Sequence, residues 1–167
     1  MAKSDKPMKV YYQAFKFLLN TGLRSGELCN LTWDDVDLET GLIKIQPKEG
    51  WTPKRNSREF YINESSLEAL RSFDNREGCV FKDLSGRQLD PSALRKALIE
   101  VAQAPGLNGL TLVHDLRHTF SSLMQMNGVD PGTMAAILGH RSYDVTMIYT
   151  HRTQEHLRKS INKIGIG

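Results

Sequence analysis

Two short segments with a period of two limit the fold more than any other feature of the sequence. LIKIQ (42–46) and REFYIN (58–63) alternate apolar and polar side chains, as half-buried β-strands do. The loop between them is rich in glycine, proline and basic residues. Because apolar residues elsewhere recur at helical spacing, we predict a mixed α/β (α+β) domain, mainly α-helical with a small antiparallel β-sheet that contains this hairpin.

Helix-starting and helix-ending residues divide the rest of the chain into short helices. Asp90 and Asp130 are each followed by proline, a pairing typical of a cap and a first helical position, and a serine at position 65 starts another helix. Helix stops are predicted at Gly22, Gly128 and Gly139. The predicted helices cover residues 10–22, 25–31, 65–73, 91–104, 115–128 and 130–139, followed by segments 142–151 and 153–161.

The composition indicates a globular chain of one domain. Of its 167 residues, 40% are apolar and 25% charged, and no apolar run reaches the ~20 residues that a membrane span requires. Cys29 and Cys79 lack a zinc-site or redox spacing, and no apolar signal segment precedes the first lysines, so we expect a cytoplasmic protein. Cys29 lies in an apolar-periodic segment and is interpreted as a buried small residue.

Charge is distributed unevenly, although the net charge of +3 is too small to indicate a nucleic-acid partner by itself. Five basic residues and a single acid lie between positions 44 and 58, a patch of the kind that binds phosphates. These basic residues are Lys44, Lys48, Lys54, Arg55 and Arg58. All five histidines lie between His114 and His156. The ionisable groups are therefore concentrated in the hairpin and the C-terminal third.

The stretch HDLRHTF (114–120) is the densest of these groups. Residues three and four apart share a helix face, so His114, Arg117, His118 and Ser121 form one polar stripe. The neighbouring apolar stripe, which should face the core, consists of Leu116, Phe120, Leu123 and Met124. A cationic face beside a packed face suits the binding of an anion at the edge of a core. The alternative is a solvated surface helix.

Two segments resemble metal sites, but neither has the full pattern, so no metal site is predicted. His114 and His118 have the spacing of a metalloprotease helix, but the H-E-x-x-H pattern needs glutamate where Asp115 stands, and Arg117 would place a positive charge beside the metal. The acidic run within WDDVDLETG (33–41) lacks the glycine and glutamate of an EF-hand loop. We predict a polar turn there.

Three further motifs carry candidate residues whose ordinary role would be structural. In TGLRSGEL (21–28), Arg24 lies at a helix start, where a cation is unfavourable unless an anion also binds, and Glu27 can orient its guanidinium. Lys54 lies at the hairpin tip and could donate a proton in a desolvated setting. His140 follows a glycine stop, and Tyr149 lies near the end of the next segment. Taken alone, Arg24 and Lys54 are more often surface charges, and Tyr149 is more often an amphipathic side chain.

In this order the motifs resemble one family. TGLRSGEL, TPKRNSREF, HDLRHTF, LGHRS and IYTH are similar to the catalytic domain of the tyrosine recombinases, also called phage integrases, over residues 10–163. The resemblance implies that fold, with residues 1–9 as an N-terminal tail. It also implies that the helical core-binding domain that usually precedes this one is absent, so we expect an excised catalytic domain or a truncated gene.

The resemblance also assigns roles to individual residues. Arg24 and Arg117 would clamp the phosphate, Tyr149 would be the nucleophile and Lys54 the general acid. His114, the candidate base, and His140 would be the two accessory histidines. The residues expected to bind DNA are Arg24, Lys54, Arg55, Arg58, Arg117 and Arg141. Glu27, Asp115 and His118 would support these groups through hydrogen bonds.

The implied activity is cleavage and rejoining of double-stranded DNA through a 3′-phosphotyrosyl link. This chemistry requires neither a metal nor a nucleotide cofactor, and no phosphate loop of the type GxxxxGK[ST] occurs in the sequence. We expect self-association on DNA during synapsis, no membrane partner, and action in the cytoplasm of a bacterial or phage-infected cell. The alternatives are a non-catalytic DNA-binding remnant or regulator and a zinc-dependent hydrolase. Type IB topoisomerases share the chemistry, but the motif order and LGHRS fit recombinases better.

Overall fold

The computed structural model describes residues 5–103, 113–139, 161, 162 and 164. Helices dominate this part of the chain, and a small antiparallel sheet accompanies them, which confirms the predicted mixed fold. The helices are α1 (Asp5–Thr21), α2 (Ser25–Cys29), α3 (Glu64–Arg71), α4 (Pro91–Ala102), α5 (Val113–Met126) and α6 (Pro131–Leu138). The strands are β1 (Val36–Asp37), β2 (Leu42–Ile45) and β3 (Arg58–Tyr61), and a 3₁₀ helix, Trp33–Asp35, precedes β1.

The predicted hairpin is confirmed as β2 and β3, which form an antiparallel pair. Its register places Ile43 opposite Phe60 on the buried face and Lys44 opposite Glu59 on the exposed face. Opposite charges across an exposed pair and apolar groups across a buried pair both favour this register. The sheet order is β1-β2-β3, so β2 is the central strand.

Two helix starts agree with the predicted caps, and one differs. The side chain of Asp90 accepts hydrogen bonds from the backbone N–H groups of Ser92 and Ala93, and Asp130 caps α6 in the same way. α3 starts at Glu64 and is capped by Asn63, whose side chain accepts from Ser66 N at 2.9 Å, so the predicted serine start is wrong. Asparagine and serine cap helices about equally well, so the local pattern did not separate them.

Two segments contain more regular structure than the sequence predicted. The N-terminal tail expected over residues 1–9 is helical from residue 5, and Pro7 is tolerated because N–H groups of a first turn have no helical acceptor. The expected polar turn at 33–41 contains the 3₁₀ helix and β1 before the chain turns at Gly41. Within the described residues, no helix combines the length and apolar content needed to cross a membrane.

The core lies where α1 packs against α3, α4 and α5. On α5, Leu116, Phe120 and Met124 are buried and Leu123 packs against them, which confirms the predicted apolar stripe. Cys29 is 1% exposed, and burial raises the pKa of its thiol to about 12, so it is the buried small residue expected. This packing directs the neighbouring polar stripe of α5, which carries Arg117, toward α2 and the hairpin loop.

The C-terminal residues that the structure describes also join this core. Ile161 and Ile164 are 0% and 2% exposed. The side-chain amide of Asn63 donates to the carbonyl oxygen of Ile164 and to Asn20 Oδ1, the latter at 2.8 Å. A capping residue of α3 therefore also fastens the end of the chain to α1.

The glycine at the α1–α2 turn gives a test of this packing. Gly22 has a φ of +62°, and a Cβ there would lie 2.3 Å from Phe120 Cδ1 and 2.8 Å from Leu138 Cδ2. Gly22→Ala should lower the free energy of unfolding by about 3 kcal/mol or more, because left-handed strain adds to overpacking of a rigid ring. Chemical denaturation measures the loss.

Gly128→Ala is the matched control. Gly128 has a similar φ of +70°, but no atom lies within 4 Å of its added Cβ. Its substitution should cost only the backbone strain, about 1 kcal/mol. Equal losses for the two variants would show that close packing against Phe120 does not contribute.

Candidate active site

Residues predicted from three separate motifs line one cavity of about 290 Å³, here called the basic cavity. Its lining consists of Arg24, Lys54, Arg55, His114, Arg117, His118 and Ser121. The N-terminus of α2, the loop between β2 and β3, and one face of α5 supply these side chains. The polar stripe of α5 therefore faces other cationic groups across a cavity, which favours the anion-binding interpretation over a plain solvated helix.

Arg117 forms the floor of the basic cavity and is 3% exposed. Its Nη1 donates to the carbonyl oxygen of Gly22 at 2.5 Å and its Nη2 to that of Leu138 at 2.6 Å. Burial, followed by the nearby charge of Arg24, lowers the pKa of this guanidinium to about 10. Arg117 therefore remains charged at neutral pH in a setting where an anion would be favourable.

Arg24 is held by Glu27, as the sequence predicts. The backbone N–H of Arg24 donates to Glu27 Oε2 at 2.9 Å, and its Nη1 donates to Glu27 Oε1 at 3.1 Å. The side chain of Arg24 is 19% exposed, whereas that of Glu27 is 1% exposed. A buried carboxylate thus fixes the direction of a guanidinium that still reaches the cavity.

Arg58 is buried and does not line the basic cavity. Its side chain is 4% exposed, and its Nη1 and Nη2 donate to the two oxygens of Glu27 at 2.9 and 2.8 Å. Arg58 forms a buried ion pair here, which argues against the expected DNA contact. The sequence contained the signal, since Arg58 has the same strand parity as the buried residues Phe60 and Ile62.

The buried Glu27 carboxylate stays ionised because of its two arginines. Burial would raise its pKa, but the hydrogen bond and charge of Arg58, followed by those of Arg24, lower it below the ordinary value. A buried carboxylate without such partners would instead take up a proton. Glu27 therefore contributes a full negative charge behind the basic cavity.

The basic patch expected between positions 44 and 58 divides into separate groups. Lys48 Nζ donates to Asp35 Oδ2, to Asn30 O at 2.6 Å and to Thr32 Oγ1 at 2.8 Å, which uses its three protons. Lys48 therefore anchors the hairpin loop to the α2–β1 connection and is not a phosphate ligand. Lys54 and Arg55 are exposed and line the basic cavity, and their expected contacts with DNA stay a prediction.

The two histidines of α5 lie edge to face, with ring centroids 4.7 Å apart. Partial burial, followed by the positive neighbours His118, Arg117 and Arg24, lowers the pKa of His114, and Asp115 acts in the opposite direction. His114 is therefore neutral over a wider pH range than an ordinary histidine, so it can accept a proton. Among the described residues, no three His, Cys, Asp or Glu side chains are placed to hold a metal ion.

Some predicted site residues lie outside the described residues, and some residues that line a cavity were not predicted. His140, Arg141 and Tyr149 fall within positions that the structure does not describe. A second cavity of about 440 Å³ shares Arg24, Lys54 and His114 with the basic cavity and is also lined by Trp51 and Thr52. Nothing in the local pattern distinguishes these two loop residues from ordinary packing residues.

The chain is similar over most of its length to known recombinases and integrases. The sequence model described as the phage integrase family matches residues 1–156. The tyrosine recombinase XerC of Lactobacillus delbrueckii subsp. bulgaricus is 32% identical over 159 residues, which cover 91% of this chain and 54% of that protein. The chain therefore spans about half the length of the curated relatives it matches.

Two solved structures show the same fold. The XerA recombinase aligns with 95% of this chain and 63% of its own, with a TM-score of 0.64 and 28% identity. The Tn1549 transposon integrase, solved with transposon right-end DNA, aligns with 97% of this chain and 61% of its own, with a TM-score of 0.67 and 25% identity.

The electrostatics of the basic cavity predict an unusual titration of His114. Its NMR midpoint in the free protein should lie below that of an ordinary histidine, because partial burial and cationic neighbours disfavour the charged ring. His114→Gln identifies the resonance by removing it. His118→Gln should raise the midpoint of His114, since one positive neighbour is lost. A His114 midpoint at or above the ordinary value would contradict this description.

Proposed function

Since the chain belongs to the phage integrase family, we propose that it is the catalytic domain of a site-specific recombinase that cleaves and rejoins DNA through Tyr149. One observation carries the proposal: Arg24, Lys54, His114 and Arg117 line a single cavity, although they come from three motifs far apart in the sequence. The relatives named tyrosine recombinases support the reaction type. The Tn1549 integrase, solved with transposon right-end DNA, supports DNA as the substrate, and we take it to be double-stranded.

Arg24 and Arg117 act as the phosphate clamp. Attack at a DNA phosphodiester places negative charge on the non-bridging oxygens, and planar guanidinium groups neutralise it with paired hydrogen bonds. Both groups are preorganised, Arg117 by the carbonyls of Gly22 and Leu138 and Arg24 by Glu27. Preorganised donors of this kind are worth about 3 kcal/mol or more each in the transition state.

Two proton transfers complete the strand cleavage. The phenolic oxygen of Tyr149 forms a bond to phosphorus and loses its proton to His114, while the bond from phosphorus to the 5′-oxygen breaks. Lys54 donates a proton to the departing 5′-oxygen. The lowered pKa of His114 suits the first transfer because a base must start neutral. The reverse steps, with another 5′-hydroxyl as the attacking group, rejoin the DNA.

The remaining residues serve the substrate and the assembly. His140 is the second accessory histidine, and Arg55 and Arg141 contact DNA phosphates. His118, on the same face of α5, and Asp115, next to His114 in the chain, support His114 and Arg117. Copies of the chain associate on DNA during synapsis, in the cytoplasm of a bacterial or phage-infected cell.

The nucleophile is tested with a suicide DNA substrate that traps the covalent intermediate. Wild-type protein should form a protein–DNA adduct, and Tyr149→Phe should abolish it because the attacking oxygen is removed. Tyr12→Phe is the control, since Tyr12 is an exposed tyrosine of α1 that lies outside both cavities. An adduct yield from Tyr149→Phe equal to that of wild-type protein would show that Tyr149 is not the nucleophile. Gel-shifted DNA without any adduct from wild-type protein would favour a non-catalytic DNA-binding remnant.

Lys54 and its neighbour Arg55 form a matched pair for testing the general acid. Lys54→Ala should slow cleavage on the order of 10²–10⁴-fold with little change in DNA affinity, because a general acid acts in the transition state. Arg55→Ala should mainly weaken binding and reduce its salt dependence, as expected for a phosphate contact. Single-turnover cleavage and equilibrium binding separate the two effects. Parallel losses of rate and affinity in Lys54→Ala would reduce Lys54 to a phosphate contact.

A further inference from the structure

One buried carboxylate holds two arginines behind the basic cavity. Glu27 Oε1 accepts from Arg58 Nη1 at 2.9 Å and from Arg24 Nη1 at 3.1 Å. Glu27 Oε2 accepts from Arg58 Nη2 at 2.8 Å and from the backbone N–H of Arg24 at 2.9 Å. Each oxygen of Glu27 therefore accepts hydrogen bonds from both arginines. The loss of one arginine would leave the whole negative charge of Glu27 to the other.

Arg58 is confined to this position from its other side. Its Nε donates to the carbonyl oxygen of Ile137 at 2.9 Å, and its Cζ lies 5.7 Å from the centre of the Phe60 ring. A Cβ added to Gly139 would lie 3.0 Å from Arg58 Cδ and 3.1 Å from its Nη1. A side chain at residue 139 would therefore press on the Arg58 guanidinium, which would have to shift to accommodate it.

The charges of the three arginines and the glutamate around the basic cavity do not cancel. Arg24, Arg58 and Arg117 contribute three positive charges, and Glu27 contributes one negative charge. The pKa of Arg117 reflects all of them, since Arg24 and Arg58 lower it and Glu27 raises it. If Arg58 were neutral, Glu27 would pair with Arg24 alone, and the positive charge that Arg24 presents to the cavity would be largely compensated.

We propose that Arg58 is a positioning residue that neutralises Glu27, so that Glu27 can orient Arg24 without cancelling its charge, and that Arg58 thereby sets the affinity of the basic cavity for a phosphate group. Arg58 does not touch the phosphate in this arrangement. The inference rests on the proposed function only in its choice of phosphate as the anion.

The test measures the affinity of the free protein for inorganic phosphate. NMR signals of the Arg24 side-chain Nε–H and the His114 ring are followed during titration at constant ionic strength, because salt screens these interactions. The variants are Arg58→Met, Arg58→Lys, Glu27→Gln and the double variant Glu27→Gln/Arg58→Met. Thermal melts define a temperature at which each one is folded.

Charge balance predicts the order of affinities. Arg58→Met should bind phosphate about tenfold more weakly than wild-type protein, whereas Arg58→Lys, which keeps the charge, should stay within about threefold. Glu27→Gln should bind severalfold more tightly, and the double variant should return close to wild-type affinity because both charges leave together. A purely structural role for Arg58 would not let the double variant regain the affinity that Arg58→Met loses.

Gly139→Ala displaces Arg58 without removing it and should weaken phosphate binding in the direction of Arg58→Met. Gly128→Ala, at a similar φ with open space around the added Cβ, should leave phosphate affinity unchanged. These two substitutions keep every charge in the chain, so a difference between them reports the position of the Arg58 guanidinium.

Several outcomes would overturn the inference. These are wild-type affinity in Arg58→Met, a double variant as weak as Arg58→Met, no detectable phosphate binding by wild-type protein, or no gain of affinity in Glu27→Gln. If Arg58→Met does not fold, the phosphate affinity of Glu27→Gln tests the inference. Failure of the proposed function is distinct, since wild-type protein would then form no covalent DNA adduct while the order of phosphate affinities held.

Discussion

The buried guanidinium of Arg117 is the interaction on which the site depends. It joins the carbonyl oxygen of Gly22, at the α1–α2 turn, to that of Leu138, at the end of α6. Without Arg117, the two carbonyl oxygens would lack these hydrogen-bond donors. Without the carbonyls, the guanidinium would be a buried charge with no hydrogen-bond acceptor at these two nitrogens. Three segments are thereby held around the predicted phosphate-binding group. Gly22 can approach α5 this closely because its Cα faces the ring of Phe120 without a side chain between them.

Glu27 and Arg58 are a second pair of buried groups that satisfy each other beside the cavity. Burying a carboxylate or a guanidinium alone in this core would be costly. The two parallel hydrogen bonds from Arg58 to Glu27 reduce this cost because they pair the charges and occupy both carboxylate oxygens. Asp35 and Lys48 form a similar pair at the base of the hairpin loop. The loop that carries Lys54 is therefore fastened at both ends, by Lys48 at one end and by Arg58 at the other.

The sequence predicted the elements well where local chemistry decides them. Asp90 and Asp130 cap helices because a carboxylate can reach two orphan N–H groups of the first turn, and this needs no distant partner. The hairpin was also predictable from alternation. β1 was not, because Val36–Asp37 is too short to show a period and becomes a strand only by pairing with Leu42 and Ile43. The helical residues 5–9 and the Asn63 cap likewise depended on small energy differences.

By itself, the sequence determined which side chains share a face: the spacing in HDLRHTF places His114, Arg117, His118 and Ser121 on one stripe of α5, whatever lies opposite. The parity of β3 likewise directs Arg58 inward with Phe60. Only the tertiary structure decided which partner each buried charge has. Arg58 meets a carboxylate 31 residues away and Lys48 meets one 13 residues away, and periodicity carries no information about such pairings. The basic patch that looked uniform in sequence therefore divides into a buried anchor, Arg58, a partly buried anchor, Lys48, and three exposed groups, Lys44, Lys54 and Arg55. Arg58 and Lys48 can leave water at low cost because each meets a buried carboxylate.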